Sequence, residues 1–410
     1  MRTRTLLAVA VLVAGLLGVV YVGLSGESTG TLAPEWTSET DPGTAGNHHE
    51  PAVAVVDGEP LVFAPVSSTQ DADECALVAL DATDGTERWR YDVPRGNCTI
   101  HAVADPAVAD TDDDGDREVL APTTEDEVLV AGAVEGAIED RLPLTDYGYT
   151  RPTVADIDDD GERETVAVDV LGSVRVFAPD GTIEWRADRE AYVWATAVVD
   201  DVDADGETEV VVADRRGYVT AFGPDGSVLW NRSTGADLVA TWMTSADLDD
   251  DPALEYVVAS TAGATVAYDG RTGDLEWRHD AGSLSAVNAV LSVEGRPTVF
   301  ATAADGSLVA IDGSDGSERW RTTVTDEAIN MMPPPVAGDV DGDGDAELVV
   351  AANDGTIAVY DPASGELLAT HSRAVGILAH PVLADTDDDG VEEIYVMYAD
   401  GRIQRLSYEN

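Results

Sequence analysis

The sequence predicts an all-β protein: an eight-bladed β-propeller of four-stranded antiparallel blades, preceded by one N-terminal transmembrane helix. Three observations predict it. An acidic loop, Asp-x-Asp-x-Asp-Gly-x-x-Glu, opens at Asp110, Asp156, Asp201, Asp339 and Asp385, with a degenerate copy at Asp247, so that successive starts lie 46, 45, 46, 92 and 46 residues apart. The interval of 92 is two periods, and a fixed period of this size belongs to solenoids, propellers and arrays. A turn glycine followed four residues later by tryptophan keeps step with the loops, at Gly85/Trp89, Gly181/Trp185, Gly226/Trp230, Gly273/Trp277 and Gly316/Trp320. Ahead of these repeats, Leu6 to Leu24 is an uninterrupted apolar run of 19 residues.

That run is long enough to cross a bilayer as a helix. Arg2 and Arg4 precede it and acidic residues follow, which places the N-terminus inside and the rest outside the cell. Residues 1–24 are therefore read as a membrane anchor, with a cleaved signal peptide as the alternative. No small-x-small cleavage site stands out after the run, and no cysteine follows it for lipid attachment. Residues 25–33 read as a Gly/Ser/Thr tether, and residues 34–410 as the propeller. The expected location is the cell membrane, single-pass, with the propeller on the extracellular side.

The unit from Arg151 to Arg186 shows how a blade is written. Pro152–Asp156 is a short apolar strand, followed by the acidic loop. Glu164–Val168 is a second strand, rich in β-branched residues. Gly172 turns the chain into a third, Ser173–Ala178. Pro179-Asp180-Gly181 has strong turn chemistry and leads into a fourth, Thr182–Arg186. Four antiparallel strands in about 45 residues make one propeller blade. First strands start near Pro51, Pro106, Pro152, Ala197, Met243, Asn288, Pro335 and Pro381, which gives eight units. The first and sixth have plain turns, Asp57-Gly58 and Glu294-Gly295, in place of the acidic loop. In the fourth strands the tryptophan is expected to wedge against the next blade. Asp140 and Ala369 occupy that position in two units, where thinner contacts are expected. The eighth unit supplies only three strands, so residues 34–38, which carry Trp36, are expected to complete it, close the ring and cover a sheet edge.

Formal net charge is -57, from 80 acidic and 23 basic residues, and every basic residue among the Lys/Arg set is arginine. Such a surface repels nucleic acid and anionic lipid. It also repels itself unless concentrated salt shortens the Debye length to about 3 Å, so the composition reads as salt-adapted and halophilic. The hydrophobic content of 44 % argues against an acidic disordered chain. Cys75 and Cys98 are the only cysteines; in an exported protein they are expected to form a disulfide, with two buried thiols as the alternative. Asn97-Cys98-Thr99 and Asn231-Arg232-Ser233 match the glycosylation acceptor pattern.

Two family patterns cover residues 34–410. Ala79-Leu80-Asp81-Ala82-Thr83-Asp84-Gly85-Thr86-Glu87-Arg88-Trp89 resembles the tryptophan-docking repeat of quinoprotein, PQQ-like propellers, and so does the run from Ala310 to Trp320. That superfamily includes dehydrogenases and the non-enzymatic propeller of outer-membrane protein assembly. The acidic loops, such as Asp339-Val340-Asp341-Gly342-Asp343-Gly344-Asp345-Ala346-Glu347, resemble FG-GAP (integrin-α-like) calcium repeats. That resemblance implies side-chain ligands at the first, third, fifth and ninth positions. Here these are Asp110/Asp112/Asp114/Glu118, Asp156/Asp158/Asp160/Glu164, Asp201/Asp203/Asp205/Glu209, Asp339/Asp341/Asp343/Glu347 and Asp385/Asp387/Asp389/Glu393. The family often has Asp at the ninth position, and the longer glutamate puts that ligand in question. Pro252 replaces the glycine of the Asp247 loop, which reads as a vestigial turn.

Three alternate carboxylates around a glycine suit calcium, a hard cation that takes six to eight oxygens. Acidic composition alone does not produce the fixed spacing, although salt-screened loops without a cation remain the bland reading. The expected role is structural: a calcium ion stiffens each blade. The residues just before the first strands gather near one channel mouth, and His48, His49, His101, Tyr149, Arg151, Trp194, Trp242 and His380 fall there as a candidate binding mouth. A transition metal at His48, His49 and His101 is a further reading of the same residues.

The expected function is a non-catalytic, calcium-stabilised binding or scaffold module for a protein or glycan partner. The alternatives are a PQQ-dependent dehydrogenase and a polysaccharide lyase or hydrolase. The resemblance implies a vicinal Cys–Cys disulfide over the quinone in the dehydrogenases, and Cys75 and Cys98 are not adjacent, so PQQ is not expected. No catalytic carboxylate pair stands out from the acidic background.

Overall fold

The computed structural model describes residues 30–40, 43, 46–68, 74–233, 240–249, 251–327 and 331–409. The apolar run Leu6–Leu24 lies outside the described residues, among which no helix is long and apolar enough to cross a membrane.

Alternating short strands and tight turns leave each unit of this chain one way to pair, and it pairs with itself. The result is eight four-stranded sheets, each antiparallel throughout. Their innermost strands are Ala52–Val56, Ala107–Ala109, Thr153–Ala155, Val198–Asp200, Ala240–Ala246, Ser285–Val293, Val336–Gly338 and Val382–Ala384. We number the blades 1 to 8 in that order. The second strands, such as Glu164–Val168 and Glu209–Ala213, are buried along their whole length, because both faces of each sheet are covered by neighbouring sheets. Hence these strands read as continuous apolar runs and not as alternating ones.

The hydrophobic core is divided accordingly. Eight clusters form, each drawn from two adjacent blades. Between blades 1 and 2, for example, Leu61, Phe63 and Leu77 meet Val119, Ala121 and Leu129. No blade buries its faces alone, so stability belongs to the ring.

Blade 8 closes it. The strand Thr31–Thr37 pairs antiparallel with Ile403–Glu409, from Thr31 opposite Glu409 to Thr37 opposite Gln404. The strand begins at Thr31, so Thr31, Leu32 and Ala33 lie in the sheet and not in the tether assigned to residues 25–33. Leu32 is buried with Val349, Val359 and Leu406, which is why the sheet extends that far. Across the other interface Trp36 packs with Val62, Val78 and Tyr395 of blades 1 and 8.

The tryptophans are clasps between blades. A register shift where each outer strand pairs with the third, such as that at Glu184, the residue between the pairs Val176–Trp185 and Phe177–Ile183, aims the ring sideways. The indole of one blade then lies on the turn glycine of the next. A Cβ on Gly85 would sit 2.5 Å from the Trp36 ring, and one on Gly136 the same distance from Trp89. Both glycines also have positive φ, 74° and 68°, so the position demands glycine twice over. Five indole N–H groups donate to the neighbouring turn: Trp36 to Ala82, Trp89 to Ala133, Trp230 to Gly270, Trp277 to Gly313 and Trp320 to Pro362.

The two substituted positions are filled differently. The carboxylate of Asp140 occupies the space beside Gly181. Ala369 is fully buried, and its neighbour Leu368 accepts a hydrogen bond from Gly30 N–H, 3.0 Å away, at the start of the closing strand.

Candidate functional site

Each innermost strand runs from one mouth of the channel to the opposite face. The residues before it therefore gather at the mouth, and the acidic loops after it gather on the far face.

On the far face each loop is built by its own carboxylates. In the blade 4 loop Asp201 Oδ2 accepts from Gly206 N–H at 3.1 Å, and Asp205 Oδ1 from Glu207 N–H at 2.9 Å. The ninth-position Glu209 turns inward, is buried, and takes Val202 N–H at 3.0 Å. The same contact joins Glu118 to Thr111, Glu164 to Ile157, Glu347 to Val340 and Glu393 to Thr386. It ties the loop back to its own second strand, which explains the length of a glutamate at that position. The glycine of every intact loop has positive φ, from 89° at Gly390 to 95° at Gly115.

One carboxylate oxygen each from Asp110, Asp112 and Glu118 lies within 4.8 Å of the others, as do those of Asp156, Asp158 and Glu164, and of Asp201, Asp203 and Glu209. These sets could coordinate a metal ion. Asp110 Oδ1 and Asp156 Oδ1 are buried without a hydrogen-bond partner, so the donor set fits a cation seated inside the loop. Burial, reinforced by the loop aspartates and opposed by the backbone hydrogen bond, pushes Glu209 and Glu347 up to about 7. A cation is the group that would relieve that repulsion.

The fifth position differs from the ligand set that the FG-GAP resemblance implies. Asp114, Asp160 and Asp205 stand apart from the three converging oxygens of their loops. Oδ1 of each fifth-position aspartate accepts the N–H two residues on: Asp114 from Asp116, Asp160 from Glu162, Asp343 from Asp345 and Asp389 from Val391, at 2.8–2.9 Å. Asp389 is also exposed, at the rim of the blade 8 loop. These bonds shape the turn at the glycine, and in blades 2, 3 and 4 the converging oxygens come from the first, third and ninth residues.

Two loops depart from the pattern. Asp247, Asp249 and Glu255 also converge, so the loop read as a vestigial turn keeps its carboxylate triad despite Pro252. The signal was present in the sequence, as the ninth-position glutamate. In blade 8, Arg405 reaches Asp387 at 3.2 Å and Glu393 at 2.9 Å and supplies part of the countercharge itself.

At the mouth, a cavity of about 250 Å³ has one polar wall, of His48, His49, Glu50, Asp105 and His380, and one apolar wall, of Trp242, Leu284, Met331 and Leu378. Tyr149 and Trp194 stand between them. His48, His49 and Glu50 of the polar wall ride on the segment that leads from the closing strand into blade 1. Asn47, buried, pins it: its Nδ2 donates to Pro65 O at 2.9 Å and its Oδ1 accepts from Ser67 N–H at 2.6 Å. The disulfide Cys75–Cys98 braces the adjoining loop, which carries His101.

The charged groups of that wall are committed to one another. Glu50 is buried, and its Oε1 accepts from Arg151 at 2.5 Å while its Oε2 pairs with His380. Burial alone would raise the Glu50 pKa; His380 and Arg151 outweigh it and hold it below the ordinary value. Burial likewise opposes charge on His380, and the Glu50 carboxylate overcomes it and raises its pKa. Asp105 Oδ1 accepts from His49 Nδ1 at 2.9 Å and from Glu50 N–H at 3.0 Å. Burial, then the neighbouring His49, lowers His48 to about 3 and His101 to about 4, so both are neutral imidazoles. Arg215 stacks on the Trp194 ring, 4.2 Å from its centroid, and stiffens that aromatic.

The sequence-derived mouth residues thus meet in large part. His48, His49, Tyr149, Trp194, Trp242 and His380 line the cavity. His101 lies behind His48, and Arg151 sits deeper, along the channel beside Ala52, Val108 and Val382. Glu50, Asp105 and Met331 also belong to the cavity. The alignment of pre-strand positions marks Glu50 and Asp105 directly, and Met331 carries no sequence signal of its own.

A tricarboxylate quinone such as PQQ does not match this wall. Glu50 and Asp105 place negative charge on it, and the histidine that pairs with Glu50 is already engaged. The disulfide joins residues separated by 23 positions and is not vicinal.

Several known proteins share the architecture. The propeller of BamB from Moraxella catarrhalis superposes with a TM-score of 0.63 at 14% identity, covering 92% of this chain and 98% of that one. The V. cholerae biofilm matrix protein Bap1 gives 0.70 at 14% identity, over 93% of this chain and 91% of its own. The quinohemoprotein alcohol dehydrogenase of Comamonas testosteroni gives 0.65 at 12% identity, over 94% and 78%. At such identities the likeness shows the fold alone. A polyvinylalcohol dehydrogenase of Pseudomonas sp is 35% identical over 84 residues, 19% of this chain and 13% of that protein's length. A profile described as outer membrane protein assembly factor BamB matches residues 28–289, 170–332 and 266–410. Since these matches overlap to cover the whole propeller, the chain belongs to that family of PQQ-like eight-bladed propellers.

Proposed function

We propose that the protein is a non-catalytic binding or scaffold module: a propeller anchored at the cell surface, stiffened on its far face by calcium, that takes a segment of a protein or glycan partner at its mouth. One observation carries this reading. The carboxylates of the mouth, Glu50 and Asp105, are spent on holding its own wall, which leaves the aromatic and apolar side free to receive a guest. A cavity of about 250 Å³ takes one side chain or one sugar ring. Aromatic rings such as Trp194 and Trp242 suit either guest, because each presents a broad apolar face. The relatives support the same class of role, since the matching profile is described as an assembly factor and one structural relative as a matrix protein.

In the acidic loops, calcium would be held by the first, third and ninth side chains, with the fifth added as the FG-GAP resemblance implies, and with Asp112 or Asp158 nearest solvent. Its contribution is structural, by joining strands one and two of a blade.

The binding role is tested by affinity capture with the full chain in high salt, alongside glycan arrays. Trp242→Ala is expected to abolish capture but also to lower the melt, because its ring packs on the core between blades 5 and 6; Trp194→Ala should weaken capture with the thermal melt nearly unchanged. Turnover of an alcohol with a dye acceptor, or cleavage of an arrayed polysaccharide, would sink the non-catalytic reading.

A further inference from the structure

We propose that His48, His49 and His101 form a binding site for a divalent transition cation of the zinc class at the mouth of the channel. The inference goes beyond the binding role above and does not depend on it.

One ring nitrogen from each of these residues lies within 4.8 Å of the others. Their other nitrogens decide which atoms converge. His48 Nδ1 lies 2.8 Å from Gly46 O, an acceptor only, so Nδ1 carries the hydrogen and Nε2 the lone pair. His49 Nδ1 lies 2.9 Å from the Asp105 carboxylate and donates to it, so Nε2 is the nitrogen left to bind a metal, which takes it as the lone pair of the neutral ring. That Nε2 is buried and unpartnered, on a residue only 2% exposed that lines the cavity. A lone pair left without a donor in a buried site is costly, and a metal ion is the partner it fits.

His101 completes the set. Its Nδ1 is 2.9 Å from His48 Nε2. Without a metal one proton must lie between these two nitrogens. Around a tetrahedral ion with bonds of about 2.0–2.1 Å, ligand nitrogens stand about 3.3 Å apart, so moving that proton to His101 Nε2 and opening the His48–His101 pair by a few tenths of an ångström offers both lone pairs to the ion. Three imidazoles select zinc, copper or nickel over calcium, which separates this site from the acidic loops. The carboxylate behind His49 and the carbonyl behind His48 are the outer partners that orient metal-ligating histidines. The loop holding His101 is braced by the Cys75–Cys98 disulfide, which fixes the third ligand. Since His48 and His49 face the cavity, the remaining coordination position opens onto it. A carboxylate or imidazole from a guest can complete the sphere there.

The test uses the full chain in high salt, stripped with chelator and returned to excess calcium so that the acidic loops are filled. Co2+ is titrated alone and followed by visible absorption; Zn2+ is then added in competition. One equivalent of Co2+ with the intense bands of tetrahedral cobalt, displaced by Zn2+, is expected. His49→Ala and His101→Ala should each weaken binding by at least about 100-fold, and Asp105→Asn, which keeps all three imidazoles, by about 10- to 100-fold. Weak octahedral bands only, or bands unchanged in these variants, would overturn the site. If an alanine variant does not fold, the Co2+-loaded native chain decides by NMR: shifted imidazole N–H signals support the site, and their absence at full loading overturns it.

Discussion

The far face and the mouth are made by opposite ends of the same strands, yet they follow different rules. On the far face the pattern repeats. First-position aspartates take the glycine N–H in blades 2, 3, 4, 7 and 8, and ninth-position glutamates take the second loop residue's N–H in the same blades. At the mouth nothing repeats: Glu50, Asp105, Arg151 and His380 hold corresponding places, just before the proline that opens blades 1, 2, 3 and 8. The difference teaches where function can sit in such a chain. Positions that recur hold neighbouring blades together, so what distinguishes one partner from another must come from positions that do not.

The comparison predicts that damage to the far face destabilises the ring, and that damage to the aromatic mouth mostly spares it. Cation removal should have the largest effect. A loop filled at ten- to a hundredfold above its Kd contributes about 1–3 kcal/mol, and several loops act on one cooperative ring. Thermal melts with and without chelator, at constant ionic strength, should therefore differ by many degrees. Equal melts would mean that the loops stand without a cation. Asp203→Asn should remove one loop's share, and Asp387→Asn less, because Arg405 already neutralises part of that loop.

Ring closure comes next. Trp36→Ala removes an indole that packs on Gly85 and donates to Ala82 O at 2.9 Å, and should cost about 3–5 kcal/mol in a denaturant melt. Gly85→Ala attacks the same clasp from the other side, through both its positive φ and the Trp36 ring. If both variants melt like the native chain, blade 8 does not close the ring in solution.

The fold was legible because its signals are local and repeated: loop spacing, the Gly-to-Trp interval and the Pro-Asp-Gly turns survive any rearrangement of neighbours. The first residue of the closing strand was not, because Thr31-Leu32-Ala33 has no periodicity of its own and is held by Val349 and Leu406 from far along the chain. The mouth was legible as a set of positions but not as a network. That Asp105 serves His49 and that Glu50 joins Arg151 to His380 depends on how three blades converge. No spacing in the sequence encodes such a meeting. In the acidic loops, spacing marks the carboxylates but not their backbone bonds, and only the turn geometry shows that third- and fifth-position aspartates such as Asp203, Asp341 and Asp389 accept the N–H two residues on. The loop at Asp247 reads as vestigial because of Pro252, although the triad needs only its first, third and ninth residues to converge.

The disulfide tests the mouth side of the comparison. Opening a loop of 23 residues by changing Cys75 and Cys98 to serine should cost about 3 kcal/mol. It should also loosen the segment carrying His101. Hydrogen exchange should then rise in residues 95–103 and leave the acidic loops protected. Equal exchange in both regions would show that the two faces are coupled.

The smallest effect separates two clasps on the far face itself. Trp230 donates to Gly270 O at 3.0 Å, but the Trp185 indole N–H is buried and unpartnered. The cause lies in the receiving turn. In blade 5 the turn spans five residues, with Gly273 N–H bonded to Asp269 O, and the carbonyl of Gly270 stays free to accept. In blade 4 the Gly223-Pro224-Asp225-Gly226 turn is one residue shorter, and Gly226 N–H takes the Gly223 carbonyl that would otherwise meet the indole. Replacing each tryptophan by phenylalanine keeps most of the packing and removes the N–H. Trp230→Phe should therefore cost about 1 kcal/mol more than Trp185→Phe, the net worth of one hydrogen bond. Removing an unsatisfied donor in Trp185→Phe should offset part of its lost packing, and paired urea melts would resolve the difference. Equal losses would mean that the indole N–H groups add nothing and that the clasp is the ring on glycine alone.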